Sequence, residues 1–222
     1  MVSPESAVRR VEREIGKLLR QYGFGGSGNS WVRVESSGVA SVGRSRAIST
    51  WSGGQQSVGF GLALSVTPIE WWEFSNWRDA GFGRPPTPLE RAEGPRLVDH
   101  QGLPDQVMRP WSIGVDPALQ PERHALQADI DVVRAELPSR VHAYARRALR
   151  LLQPGRYLEE LLAQPGESPG RWETIAVLLS AEGPGPQLDD ACDRAQASAA
   201  ACGNPEYGDL IVTYCRLRAV GG

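Results

Sequence analysis

Residues 57–66 alternate strictly between large apolar and small side chains. Serine, glycine or alanine separates five larger apolar residues: Val58, Phe60, Leu62, Leu64 and Val66. Side chains of a β-strand point to opposite faces in turn, so this spacing predicts a strand with one apolar face and one nearly bare face. The apolar face requires a hydrophobic core, and the bare face lets a helix, another backbone or a ligand approach closely. We expect a packed helix there, because sheets bury faces against other elements more often than they bind ligands.

An N-terminal helix and a hairpin precede this strand. Residues 3–22 carry apolar side chains at helical spacing. Residues 31–35 and 39–51 indicate two strands joined by a glycine turn. With residues 57–66 they predict a three-stranded antiparallel meander. We interpret the glycine-rich residues 25–29, between the helix and the hairpin, as a flexible connection.

A long helical pattern follows two further short strands, residues 96–99 and 108–113. Over residues 121–153 apolar side chains recur every three or four positions, and they keep their phase past Pro138. Because proline disrupts a helix interior, this predicts a kinked helix or two helices in register. The sequence therefore predicts an α+β fold: an antiparallel sheet of four to five strands packed by the N-terminal helix and the long kinked helix.

The C-terminal part of the chain has only helical patterns. They follow the proline- and glycine-rich residues 164–170, which we interpret as a linker. We predict an α+β domain over residues 1–162 and a helical annex over residues 163–222 that packs on it.

Charge and cysteine content disfavour several classes of protein. The chain has 24 basic and 26 acidic residues among 222, for a formal net charge of −2, whereas binding to nucleic-acid phosphates requires a basic excess or stripe. No segment approaches the ~20 apolar residues of a membrane helix, and the N-terminus lacks the apolar core of a signal peptide. Three late cysteines, Cys192, Cys202 and Cys215, favour buried thiols in a reducing compartment. We expect a soluble cytoplasmic protein that contacts no membrane. Nucleic-acid binding, through the arginine faces of the two long helices, is the least favoured of the functions left open.

Aromatic side chains crowd into residues 68–82. Four of them lie close together in sequence: Trp71, Trp72, Phe74 and Trp77. Their spacing suits a short helix, and tryptophan adds a hydrogen-bond donor to a large apolar surface. We favour a lid over one end of the core for this cluster and keep an interaction hot spot as the alternative. The proline-rich residues 83–95 that follow indicate an extended, irregular segment.

The order of several short motifs resembles a bacterial family. These motifs are Gly23-Phe24, Trp31, residues 60–66, Trp111 to Ile113, and Pro138 within the long helix. In this order they resemble the domain-of-unknown-function family 4304 over residues 5–162. The resemblance implies an α+β domain with an antiparallel sheet and packed helices, and it implies no activity. Residues 50–52, Ala63 and Ser65 depart from the family pattern, so a family site at these positions would be lost or changed in this chain.

The familiar catalytic and metal-binding motifs are missing from the sequence. It contains no Gly-x-Ser-x-Gly elbow, no His-Glu-x-x-His helix and no phosphate-binding loop, and its cysteine spacing is not that of a zinc site. The sequence therefore predicts no metal and no cofactor. One enzymatic alternative stays open: a small-molecule or nucleotide-processing enzyme with a groove over the bare face at Gly59 and Gly61. Arg44 and Arg46, on the neighbouring strand, would then bind an anion.

The sequence favours a non-catalytic interaction protein over this enzyme. We expect an adaptor or immunity-type module of a bacterial cytoplasm. Its partner would be another protein, contacted through the aromatic cluster in residues 68–82.

Overall fold

The structure is a computed structural model that describes residues 2–52, 55–116, 124–166, 168 and 170–221. Its α-helices are α1 (Pro4–Arg20), α2 (Ile69–Gly81), α3 (Asp105–Met108), α4 (Gln127–Leu151), α5 (Arg156–Leu162), α6 (Arg171–Leu179), α7 (Pro186–Ala201) and α8 (Pro205–Gly221). Its strands are β1 (Gly25–Ser27), β2 (Ser30–Glu35), β3 (Gly38–Arg44), β4 (Ile48–Ser52), β5 (Gln55–Phe60), β6 (Leu62–Pro68) and β7 (Trp111–Gly114). Short 3₁₀ turns lie at Leu89–Arg91 and Ser180–Glu182.

The strands form two antiparallel sheets. One sheet has the order β1-β2-β3-β6, and the other has the order β4-β5-β7. Together with the helices these sheets confirm the predicted α+β fold. The five apolar side chains of residues 57–66 are all buried, as their alternation predicts.

A hydrogen-bonded pair, Ser45 and Gly61, interrupts two of the strands that the sequence predicts as continuous. The backbone N–H of Ser45 donates to the Gly61 carbonyl oxygen at 2.9 Å, and the Gly61 N–H donates to Ser45 Oγ at 2.9 Å. Gly61 falls between β5 and β6, and Ser45 falls between β3 and β4. The prediction of single strands over 39–51 and 57–66 is therefore wrong, because each segment passes from one sheet into the other at this pair.

The glycine-rich residues 25–29 are not a flexible connection, and this prediction is wrong. Gly25, Gly26 and Ser27 form β1 and pair with Val32, Trp31 and Ser30 of β2. Gly26 adopts a φ of 135°, a backbone conformation that residues other than glycine rarely adopt. The glycines therefore permit a tight hairpin rather than a mobile loop.

Residues 96–99 do not form the predicted strand. Arg96 has a positive φ of 61°, and side chains satisfy the backbone of Leu97. Its N–H donates to the Tyr157 hydroxyl at 3.1 Å, and its carbonyl oxygen accepts from Gln164 Nε2 at 3.0 Å. The predicted strand at 108–113 lies instead at Trp111–Gly114, after the short helix α3.

Helix α4 follows the predicted apolar stripe. It continues through Pro138 as one helix, and the start of the predicted range, residues 121–123, lies outside the described residues. The buried members of its stripe are Ile130, Val133, Leu137, Val141, Tyr144, Ala148 and Leu151. Helix α1 buries a matching stripe of Ala7, Val8, Val11, Ile15 and Leu19. Both helices therefore pack by the apolar face that their periodicity predicts.

The chain divides into two compact units. The first contains Met1–Arg33, Ala40–Ser65 and His100–Leu149, and the second contains Val34–Val39, Val66–Asp99 and Arg150–Gly222. The domain boundary at residue 162 stays a prediction.

Helix α6 forms the centre of the second unit. All of its residues except Trp172 are buried, and it contacts α2, α5, α7 and α8. In the part of the chain that the structure describes, no helix is both long and apolar enough to cross a membrane.

Candidate functional site

The residues proposed for an anion groove lie together in the first unit. Arg44 ends β3, and its Nε donates to Glu12 Oε1 of α1 at 2.5 Å. Arg46 is exposed before β4. Gly59 lies in β5 between Ile48 of β4 and Ser112 of β7. The Arg44 guanidinium is thus already paired with a carboxylate, and anion binding by Arg44 and Arg46 near Gly59 and Gly61 stays a prediction.

The aromatic cluster of residues 68–82 lies on α2 and is packed mainly inside the second unit. Phe74 is fully buried, with its ring centroid 5.4 Å from that of Trp71 and 5.1 Å from that of Tyr214 in α8. Trp72 is half-buried. Trp77 remains 37% exposed. This placement leaves Trp77 as the most exposed of the four aromatic residues Trp71, Trp72, Phe74 and Trp77. The role of these residues in binding a partner stays a prediction.

Strand β4 is an edge strand whose five residues are all exposed. It pairs with β5 along one side, from Ile48↔Gly59 to Ser52↔Gln55. Ile48 is 61% exposed and Trp51 is 64% exposed. Proteins usually place charged residues or proline on a free edge strand to keep it from pairing with another strand. Strand β4 contains no charged residue and no proline.

The opposite edge of the same sheet is covered by the chain itself. The Gly114 N–H of β7 donates to Asp129 Oδ2 at 2.8 Å, and its carbonyl oxygen accepts from the Leu126 N–H at 2.9 Å. The indole Nε1 of Trp111 donates to Glu136 Oε2 at 2.9 Å. Residues of α4 and the segment before it thus bond the backbone of Gly114 in β7, whereas all five residues of β4 are exposed.

A cavity of about 390 Å³ lies within the second unit. Its walls come from the β2–β3 turn, the start of α2, the end of α4, the start of α5 and the region that follows α6. Apolar groups line much of it: Pro68, Ile69, Leu151, Pro154, Leu158, Leu178 and Ala181. Its polar lining comprises Ser36, Ser37, Glu70, Gln153, Tyr157 and Glu182. This volume falls within the range of about 300–1,000 Å³ typical of small-molecule sites.

Glu70, in the first turn of α2, is a carboxyl group of the cavity lining whose pKa is shifted. Burial raises its pKa above the ordinary value of a glutamate, and the charges of Glu73 and Glu182 act in the same direction. A backbone hydrogen bond of Glu70 and the charge of Arg218 oppose this shift without cancelling it. An ionised Glu70 therefore lies in a site that favours a positive charge beside it.

Neither the open strand nor the cavity was identified by sequence reasoning. The sequence signal for β4 is weak: the strand lies in residues 36–69, a run without aspartate or glutamate. Glu70 and Glu182 lie far apart in sequence and belong to no motif. Within the described residues, no group of three or more His, Cys, Asp or Glu side chains is arranged to hold a metal ion.

No protein-family model, curated protein or solved structure matches this chain. The resemblance to family 4304 therefore stays a prediction.

Proposed function

We propose that this protein is a non-catalytic interaction module that binds an extended segment of another protein along β4. The observation that carries the proposal is the open edge: all five residues of β4 are exposed, and two of them are Ile48 and Trp51. An adaptor or immunity-type role in a bacterial cytoplasm belongs to the same proposal.

An added strand is the occupant that the geometry favours. Each edge strand directs the N–H and C=O groups of every second residue away from its neighbour. Among the strands that the structure describes, none faces these groups of β4, because the sheet order ends there. A partner strand would satisfy them, and large side chains on alternate positions would give specificity.

The charges around β4 indicate the chemistry of the partner. Residues 36–69 contain no aspartate or glutamate. Arg46, just before β4, is exposed, while Arg44 is paired with Glu12. We therefore expect an extended segment with apolar residues at alternate positions and an acidic residue that pairs with Arg46.

A displayed library of random heptapeptides tests the proposal. Peptides selected on the protein should share alternating apolar residues and at least one acid. Ile48→Lys and Trp51→Lys place a charge on the edge and should weaken their binding by about tenfold or more, or about 1.4 kcal/mol. Val132→Lys is the matched control, because Val132 is 54% exposed on α4 in the same unit and should leave the affinity unchanged.

Three results would overturn the proposal. The first is the absence of any enriched peptide. The second is equal binding by the β4 variants and the protein without substitutions. The third is a concentration-dependent dimer, detected by light scattering, that Trp51→Lys dissociates, because the edge would then serve self-association.

A further inference from the structure

The cavity of the second unit is built from segments that the fold ties together. Ser37 lies in the β2–β3 turn, and its carbonyl oxygen accepts from the Ile69 N–H at 2.9 Å. The Ser37 hydroxyl donates to the carbonyl oxygen of Leu152, just beyond α4. One residue thus connects three walls of the cavity. A site fixed in this way loses little conformational freedom when a ligand enters.

The charge of the lining has one sign. The described residues that line it include two carboxylates, the half-buried Glu70 and the exposed Glu182, and no lysine, arginine or histidine. Arg218 of α8 influences Glu70, but its guanidinium forms an ion pair with Glu73 at 3.0 Å. Among the residues described for the lining, the cavity therefore supplies negative charge without a basic side chain to neutralise it.

We propose that this cavity binds a small organic cation, an alkylammonium or alkylguanidinium group. The charged head would pair with Glu70 and Glu182, and the aliphatic chain would contact the apolar wall that Leu158 and Leu178 provide. Charge-assisted hydrogen bonds from nitrogen to carboxylate are among the stronger polar contacts in proteins.

The alkylammonium or alkylguanidinium group can belong to a free amine or to an arginine or lysine side chain of a peptide. Agmatine represents the free amines, and acetyl-Gly-Arg-Gly-amide represents the peptide. Binding of either one supports the proposal, and the ratio of their affinities identifies the source. This site is independent of β4, so the outcome of the peptide selection does not bear on it.

Calorimetric titration with pentylamine, agmatine and the peptide is the first experiment. 1-Pentanol has the shape of pentylamine without its charge, and pentanoate has the opposite charge. We expect pentylamine to bind at least about tenfold more tightly than 1-pentanol, the ratio that about 1.4 kcal/mol provides. No binding of any cation, or equal binding of pentylamine and 1-pentanol, would overturn the proposal.

Substitutions in the lining locate the site. Glu70→Gln and Glu182→Gln keep the shape of each side chain and remove its charge, so each should weaken cation binding severalfold. Glu206→Gln is the matched control, since Glu206 is exposed on α8 and is not among the residues described for the cavity lining.

Ala181→Trp tests directly whether the ligand occupies the cavity. Ala181 is exposed at the wall, so the larger side chain should block entry without disturbing the core. Retained affinity in all three lining variants would contradict the assignment.

The pH dependence provides a second readout. The charged groups that act on Glu70 are Glu73 on its own helix, Glu182 after α6, and Arg218 on α8. Since the pKa of Glu70 is raised, cation affinity should fall on acidification at a higher pH than for an ordinary glutamate. Glu70→Gln should remove this part of the pH profile. An unchanged profile in Glu70→Gln would show that another group controls binding and would overturn the role of Glu70.

Discussion

Trp72 donates its indole Nε1–H to the carbonyl oxygen of Thr87 at 2.7 Å. Asn76, one turn later on α2, adds two bonds to the same residue. Its Nδ2 donates to the Thr87 carbonyl oxygen at 3.2 Å, and its Oδ1 accepts from the Thr87 N–H at 2.8 Å. The proline-rich residues 83–95 are thus fastened to the helix that carries the tryptophans. This explains why much of that aromatic surface faces the protein rather than solvent.

Trp72→Phe should destabilise the second unit while leaving the fold intact. The variant keeps an aromatic ring and loses the hydrogen bond to Thr87, so we expect a loss of about 0.5–1.5 kcal/mol. Urea denaturation followed by circular dichroism measures this free energy of unfolding. Trp51→Phe is the control, because Trp51 is exposed on β4 and should change the stability by less than about 0.5 kcal/mol. Equal free energies of unfolding for Trp72→Phe and the unsubstituted protein would show that the hydrogen bond to Thr87 does not stabilise the fold.

The helices were the most predictable part of the fold. The stripe of α4 is a local period, and each buried member can be read from neighbours three or four residues away. The break at Ser45 and Gly61 could not be predicted in this way. The alternation of Val58, Phe60, Leu62 and Leu64 continues unchanged across Gly61, while the contact that ends the strand comes from a residue 16 positions earlier.

The Tyr157 hydroxyl connects α5 to residues 97–99 of the second unit. It accepts from the Leu97 N–H at 3.1 Å and donates to Asp99 Oδ1 at 3.4 Å. Burial, and then the negative charge of Asp99, hold the pKa of Tyr157 well above its ordinary value, so the hydroxyl stays protonated. Tyr157→Phe leaves a backbone N–H without this partner and should cost about 1–3 kcal/mol of folding free energy.

Thermal and urea denaturation of Tyr157→Phe check this prediction. Tyr22→Phe is the matched control: the Tyr22 hydroxyl is 2.5 Å from His142 Nδ1 in an exposed contact, so its loss should cost less than about 0.5 kcal/mol. Similar losses in the two variants would contradict the special role of the buried hydroxyl. A Tyr157 that titrates near pH 10 would contradict it as well.

Arg171 is a buried cation that holds the end of α5. Its guanidinium donates to three carbonyl oxygens, those of Leu161 (3.3 Å), Leu162 (3.4 Å) and Gly166. Because hydrogen bonds from a charged group contribute more than neutral ones, Arg171→Met should lower the free energy of unfolding by about 2–3 kcal/mol. Arg171→Lys should recover only part of this loss, because an ammonium group cannot reproduce the planar fork.

Arg194→Met is the control for Arg171→Met under the same urea denaturation. Both arginines stack on Trp172, with their Cζ atoms 5.1 Å and 4.4 Å from the ring centroid for Arg171 and Arg194. Arg194 is exposed and pairs only with Asp190 among the polar contacts described for it. The difference between the two variants therefore isolates the carbonyl bonds. A loss in Arg194→Met as large as in Arg171→Met would assign the effect to the stacking instead.

The candidate sites were less predictable than the fold because neither depends on a local pattern. The cavity exists where α2, α4 and α5 leave space, and the lining brings Glu70 beside Glu182 only after α6 is packed. The open edge of β4 depends on the order of its sheet. Trp51 gives no sign in the sequence that it faces solvent, since an exposed and a buried strand tryptophan fit the same short segment equally well.

Iodoacetamide should alkylate one of the three cysteine thiols rapidly and the other two slowly. Cys202 is exposed, while Cys192 on α7 and Cys215 on α8 are buried. The hydrogen bond with Cys192, and then burial, raise the pKa of the Cys215 thiol. Since the thiolate is the reactive form and alkylation needs access, both the raised pKa and the burial of Cys215 protect it from alkylation.

When the folded protein is treated with iodoacetamide and analysed by mass spectrometry, Cys202 should therefore be modified first. Cys202→Ser should abolish this rapid phase, and denaturation in urea should expose the remaining two thiols. Rapid modification of Cys192 or Cys215 in the folded protein would show that α7 and α8 separate readily, contrary to the packing observed.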